Sequence, residues 1–126
     1  MPTGRRVLLA DDDEAFARSC ARVLRKDLEV ECAHSVAAAL GVIRFGAALG
    51  GVWSDGRLPD PGGGVEILRA AAERYPNAVL VLVTGEPDAQ DLTELPKGVR
   101  VFSKEKSSEA MAYFIGQLPP KGTEDI

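Results

Sequence analysis

Four places in the 126-residue chain set side chains suited to phosphoryl chemistry directly after short apolar runs. Residues 7–10 lead into Asp11-Asp12-Asp13, Gly51–Ser54 into Asp55, residues 78–83 into Thr84-Gly85, and residues 99–103 into Lys104. Aspartates are ionised at neutral pH, and three crowded negative charges repel one another unless a cation joins them. Hard oxygen ligands unaccompanied by His or Cys suit Mg²⁺, which typically takes one or two carboxylates, several waters and a phosphate oxygen. In such a site Asp55 can act as the nucleophile toward a phosphoryl group, Lys104 can pair with phosphate oxygens, and Thr84 can donate a hydrogen bond. Each residue also has a plainer explanation. Acids at 11–13 favour a following helix N-terminus by about 0.3–1 kcal/mol, Asp55 can start a turn, Thr84 can be a turn residue, and Lys104 a solvated charge. Four such coincidences, each at the end of a different strand, favour the joint reading.

The elements that must position these residues alternate between strand-like and helix-like patterns, the signature of an α/β domain with a parallel sheet. Strand one is predicted over Arg6–Ala10, followed by a helix whose Phe16, Cys20, Val23 and Leu24 share a buried face, with Arg18, Arg22 and Arg25 opposite. Residues 28–32 alternate strictly, which suits an edge strand, whereas AVLVLV at 78–83 is apolar throughout and suits an interior one. Ser35 can cap a second helix with Val36, Ala39, Leu40 and Ile43 on one face. A third strand covers Gly51–Ser54, and a third helix covers residues 64–74 before Pro76 stops it. Residues 86–95, bounded by Pro87 and Pro96, are expected to form a short polar fourth helix. A fifth strand at 99–103 and a last helix with Met111, Phe114, Ile115 and Leu118 inward complete the pattern. Right-handed crossovers then gather all the strand C-termini along one edge, where open α/β sheets bind their ligands.

Size and charge narrow the function classes. The length matches one domain, taken as residues 1–118, with 119–126 as a tail or linker remnant. A net charge of -4 argues against direct nucleic-acid binding. The apolar run behind the basic start is too short for a signal peptide or membrane span, so a cytoplasmic location without membrane association is expected. Cys20 and Cys32 form no Cys-x-x-Cys pair and read as small core residues, and the lone His34 leaves a zinc site or a Ser-His-Asp triad without support.

The motifs LLADDD, SDGRLPDPGG, LVTG and VFSK, in this order, resemble those of receiver domains of bacterial two-component response regulators, over residues 5–118. The resemblance implies a flavodoxin-like, doubly wound, five-stranded parallel sheet of order 2-1-3-4-5 flanked by five helices. It also implies Asp11 and Asp12 as an acidic pair, with Asp12 a direct Mg²⁺ ligand and the Arg57 backbone carbonyl another. Asp55 would be the phosphoacceptor, Thr84 the switch hydroxyl and Lys104 the family's lysine, with Pro59 and Gly63 matching the loop after Asp55. Expected partners are a sensor histidine kinase or histidine phosphotransfer protein and a downstream protein. The role is that of a phosphoacceptor module rather than a turnover enzyme. Two positions depart from the pattern: Val101 stands where the family usually has an aromatic residue, with Phe102 beside it, and Glu105 stands where many receivers have proline. The competing reading is a small phosphatase of the haloacid dehalogenase type, with Asp11 as nucleophile in Asp11-x-Asp13; it leaves Asp55 without a role.

Overall fold

The computed structural model describes residues 4–58, 62–85 and 92–119. Its elements are β1 (Arg6–Ala10), α1 (Glu14–Leu24), β2 (Glu29–Ala33), α2 (Val36–Phe45), β3 (Gly51–Ser54), α3 (Gly63–Arg74), β4 (Val79–Thr84), β5 (Arg100–Ser103) and α4 (Ser107–Gln117). All five strands are parallel, in the order β2-β1-β3-β4-β5. The expected sheet is therefore present, with the alternating β2 at an edge and the continuously apolar β4 inside.

Period-2 alternation along the strands divides the core in two. Val7, Leu9, Trp53, Val81 and Val83 face one layer, where they pack with Ala17, Leu24 and Phe114 of α1 and α4. Leu8, Ala10, Val52, Leu80 and Leu82 face the other, against Ile43, Ile67 and Leu68 of α2 and α3. Covering both faces is why β3 and β4 stay hydrophobic until their C-terminal Ser54 and Thr84. Trp53 is fully buried and meets Phe114 edge to face, with ring centroids 5.9 Å apart.

Helix boundaries follow local signals. Asp13 caps α1 by accepting from the Phe16 backbone N–H at 3.0 Å, and Ser35 caps α2 by accepting from the Ala38 N–H at 3.1 Å. In α2 Ala39 and Ile43 are buried as expected, with Val36 and Leu40 half-buried beside them. The face of α1 differs from expectation. Its buried stripe is Ala17, Cys20, Ala21 and Leu24, while Phe16 is half-buried and Val23 is 41% exposed. Turning the two alanines inward lets the helix backbone lie close to the sheet, which rotates Val23 out. In α4 the stripe centres on Ala110, Phe114 and Leu118, and Met111 and Ile115 lie half-buried at its margins. Cys20 and Cys32 are both free thiols.

Four α-helices occur among the described residues. Of the segment expected as the fourth, residues 86–91 lie outside the described residues, and Leu92–Glu94 form only a three-residue 3-10 turn. Pro96 close behind disfavours helical geometry for Leu95, whose half-buried side chain packs against the α2/α3 layer. No helix among the described residues is long and apolar enough to cross a membrane.

Candidate functional site

Strand register brings the singled-out residues together. Ala10 pairs with Ser54, so Asp11 and Asp55 follow on adjacent strands at the point where the strand order reverses, and the Asp55 N–H donates to the Ala10 carbonyl at 2.8 Å. Thr84 pairs with Ser103, so Lys104 follows one residue beyond on the neighbouring strand. Asp11, Asp55 and Thr84 are buried and Asp12 is exposed. Carboxylate oxygens of Asp11, Asp12 and Asp55 lie within 4.8 Å of one another. Lys104 Nζ lies 3.0 Å from Asp11 Oδ2 and 3.6 Å from Asp55 Oδ2. Arg57 is exposed, and its backbone N–H bonds the Asp55 carboxylate. Pro59 lies outside the described residues.

Three carboxylates against one ammonium leave this site strongly negative. At about 5 Å and an effective dielectric constant of about 20, each carboxylate pair repels by about 3 kcal/mol. Burial pushes the Asp55 carboxyl up to about 6, the Asp11 charge pushes it the same way, and Lys104 and the Arg57 N–H only partly oppose them. Asp11 is raised as well, again chiefly by burial, although it accepts the Asp13 N–H at 2.9 Å and faces Lys104. Burial works to lower Lys104, yet the bond to Asp11 and the surrounding carboxylates outweigh it and hold the ammonium above its ordinary value. Among the described residues no aligned hydrogen-bond donor meets the buried Asp11 Oδ2, and the Lys104 ammonium 3.0 Å away balances its charge.

That donor set suits a hard divalent cation: three carboxylates converge, neither histidine nor thiolate is among them, and one buried oxygen lacks an aligned donor. Asp13 stands apart from the cluster, its side chain committed to capping α1. Cys20, buried under the site, is raised to about 11 by burial and then by the Asp11 charge, so its thiol stays protonated and unreactive.

Sequence reasoning missed three supporting contacts. Phe16 was assigned to the core, but its ring also lies under Lys104, 4.5 Å from Nζ, and steers the ammonium by a cation-π contact. His34, considered only against a zinc site or a Ser-His-Asp triad, sets Nδ1 3.0 Å from the Asp11 carbonyl and so braces the strand end. The glycines after Asp55 serve close packing. Gly62 caps α3 at φ 91°, a conformation that favours glycine, and a Cβ on Gly64 would lie 2.0 Å from the Asp55 carbonyl oxygen. A run of three glycines behind a strand-end Asp was the available signal for such an approach. Phe102 does not stand in for an aromatic at Val101. Adjacent residues of β5 point to opposite faces, so Val101 joins the α2/α3 layer while Phe102 packs on Tyr113 and under the Arg100 guanidinium.

Comparison with known proteins gives a consistent picture. No protein-family model matches the chain. The photosynthetic apparatus regulatory protein RegA of Rhodobacter capsulatus is 39% identical over 82 residues, 64% of this chain and 44% of that protein, so the chain spans less than half of its relative's length. Among solved structures, a response regulator receiver protein from Sinorhizobium medicae superposes with a TM-score of 0.76 at 24% identity, covering 88% of this chain and 94% of that one. A CheY-like response regulator receiver domain protein from Methanospirillum hungatei gives 0.68 at 25% identity, covering 90% and 98%.

Proposed function

Because the chain is a receiver domain of the response-regulator type, we propose that it works as a phosphorylation-controlled signalling module whose phosphoacceptor is Asp55. The observation that carries this reading is the convergence of Asp11, Asp12, Asp55 and Lys104 at the sheet's topological switch point. Receiver domains act with histidine kinases and with downstream effectors. For this chain the proposed donor is a phosphohistidine of a sensor kinase or phosphotransfer protein, and the proposed output is altered binding of a downstream protein.

The chemistry follows from the side chains. An oxygen of the Asp55 carboxylate attacks phosphorus, forming a P–O bond as the donor's P–N bond breaks, and the departing imidazole takes up a proton. With its carboxyl raised only to about 6, Asp55 is mostly ionised at neutral pH and competent to attack. Lys104, within 3.6 Å of Asp55, pairs with a phosphoryl oxygen there, and Thr84 at the end of β4 donates its hydroxyl to another. Asp11, Asp12, Asp55 and the Arg57 carbonyl would hold Mg²⁺, which when bound supplies charge neutralisation for the phosphoryl oxygens. The haloacid dehalogenase-type alternative has less support. Asp13, which it needs beside Asp11, caps a helix, and Asp11 carries the ammonium of Lys104.

The test is mass spectrometry after incubation with a small phosphodonor and Mg²⁺. One phosphoryl adduct, lost in hydroxylamine and absent from Asp55→Asn, is the expected result. Steady multiple-turnover release of phosphate, or labelling at the same site in Asp55→Asn, overturns the assignment.

A further inference from the structure

At the end of the sheet opposite Asp55, a cleft of about 700 Å³ opens where the chain enters β3 and β4 and leaves α3 and α4. A second hollow of about 280 Å³ shares its walls at Pro76–Val79 and Gln117, so the two form one groove across the starts of β4 and β5. Residues Val79 and Thr84 bound β4, which places the groove roughly 17 Å from the phosphoacceptor end at about 3.3 Å per residue.

Its charge is inverted relative to the rest of the protein. The chain has 19 acidic against 15 basic side chains, yet among the described residues no carboxylate lines either hollow, and the charged groups on the walls are Arg74 and Lys97. Elsewhere Arg6, Arg69 and Lys104 each meet a carboxylate. Neither Arg74 nor Lys97 has a carboxylate partner among the described residues, and Arg74 instead lies over the Tyr75 ring, 5.5 Å from its centre. Arg74 and Tyr75 both line the larger hollow, while Lys97 lines the smaller one. Between them, on the shared wall, are the amides of Asn77 and Gln117, which offer both donors and acceptors of the kind a peptide backbone requires. The remaining wall is largely apolar, including Leu49, Val79 and Leu118.

We propose that this groove docks a short acidic peptide segment of a partner protein. Its carboxylates meet Arg74 and Lys97, its backbone bonds Asn77 and Gln117, and an apolar side chain enters the larger hollow. Two adjoining hollows, each lined by its own cation, match an extended peptide better than a compact anion, whose single charge would engage only one of them. The site is independent of the phosphoacceptor reading, because none of its residues reaches the carboxylate cluster.

The probe is a fluorescein-labelled octapeptide alternating glutamate and leucine, with its lysine-leucine counterpart as control, followed by anisotropy on the full chain at low and high salt. The acidic peptide is expected to bind and the basic one not. Arg74→Glu with Lys97→Glu should weaken binding roughly tenfold, the scale two exposed ion pairs reach together. Phosphodonor labelling at Asp55 serves as the check that these variants fold, since both positions are remote from it. Binding that ignores both charge reversals overturns the proposal. Free glutamate competing as well as the peptide overturns it in favour of a small-anion site. Self-association that Arg74→Glu abolishes, without peptide binding, overturns it in favour of a second copy of the chain.

Discussion

Replacing Asp55 by Asn is expected to stabilise the metal-free protein at neutral pH. The structure buries this carboxylate beside Asp11 and Asp12 with one ammonium to serve all three. Its carboxyl rises from an ordinary value of 3.8 to about 6 in the fold. The sign is opposite to that of a salt-bridged aspartate. Below the unfolded value both states hold the proton and nothing is lost; between that value and about 6 the folded state binds more protons, so stability falls as pH rises; above about 6 the whole penalty is present. At 1.36 kcal/mol for each tenfold change, the penalty approaches about 3 kcal/mol at pH above 6, and solvent relaxation around the cluster makes this an upper figure. Asn has nearly the same shape and no charge. Urea unfolding in the presence of a chelator should therefore show Asp55→Asn more stable by about 1–3 kcal/mol at pH 7.5 and nearly equal to the parent at pH ~3. Saturating Mg²⁺ should narrow the gap at pH 7.5 by stabilising the parent more than the variant. An Asn variant that is less stable at pH 7.5, or a difference that does not change with pH, would refute the account of a strained, desolvated acidic cluster.

Asp12→Ala should weaken Mg²⁺ binding at least tenfold while leaving the fold intact, because Asp12 is exposed and supplies one of three clustered carboxylates; titration by calorimetry, or by fluorescence of the buried Trp53 two residues before Asp55, measures it. Gly64→Ala should cost about 3 kcal/mol or more, since the added Cβ meets backbone oxygen that cannot move aside, and an unchanged denaturation midpoint would count against the close approach. Val101→Ala should leave phosphorylation-dependent partner binding nearly unaltered, as no ring sits there to be repositioned. Phe102→Ala should lower thermal stability through lost packing on Tyr113 and Arg100, with the rate of Asp55 labelling unchanged.

Much of this arrangement was legible in the chain itself. Alternation along 28–32 against the unbroken apolar run at 78–83 separated an edge strand from an interior one, because a face exposed to water needs polar side chains and a doubly covered strand excludes them. The polar residue that ended each apolar run then marked the sheet edge where Asp11, Asp55, Thr84 and Lys104 converge. These are local signals, carried by neighbours along the chain. What depended on distant partners was not legible. The rotation of α1 that buried Ala17 and exposed Val23 was decided by how closely a helix can lie on the sheet. Residues 92–94 form one tight turn, and Leu95 behind it packs against the α2/α3 layer. The placing of Phe16 under Lys104, of His34 against the Asp11 carbonyl and of Gly64 against the Asp55 carbonyl joins residues 9 to 88 positions apart in sequence. So does the groove that sets Arg74 and Lys97 on its walls with no carboxylate among the described residues to meet them. Such contacts depend on helix rotation and strand register acting together, and only the folded chain sets both.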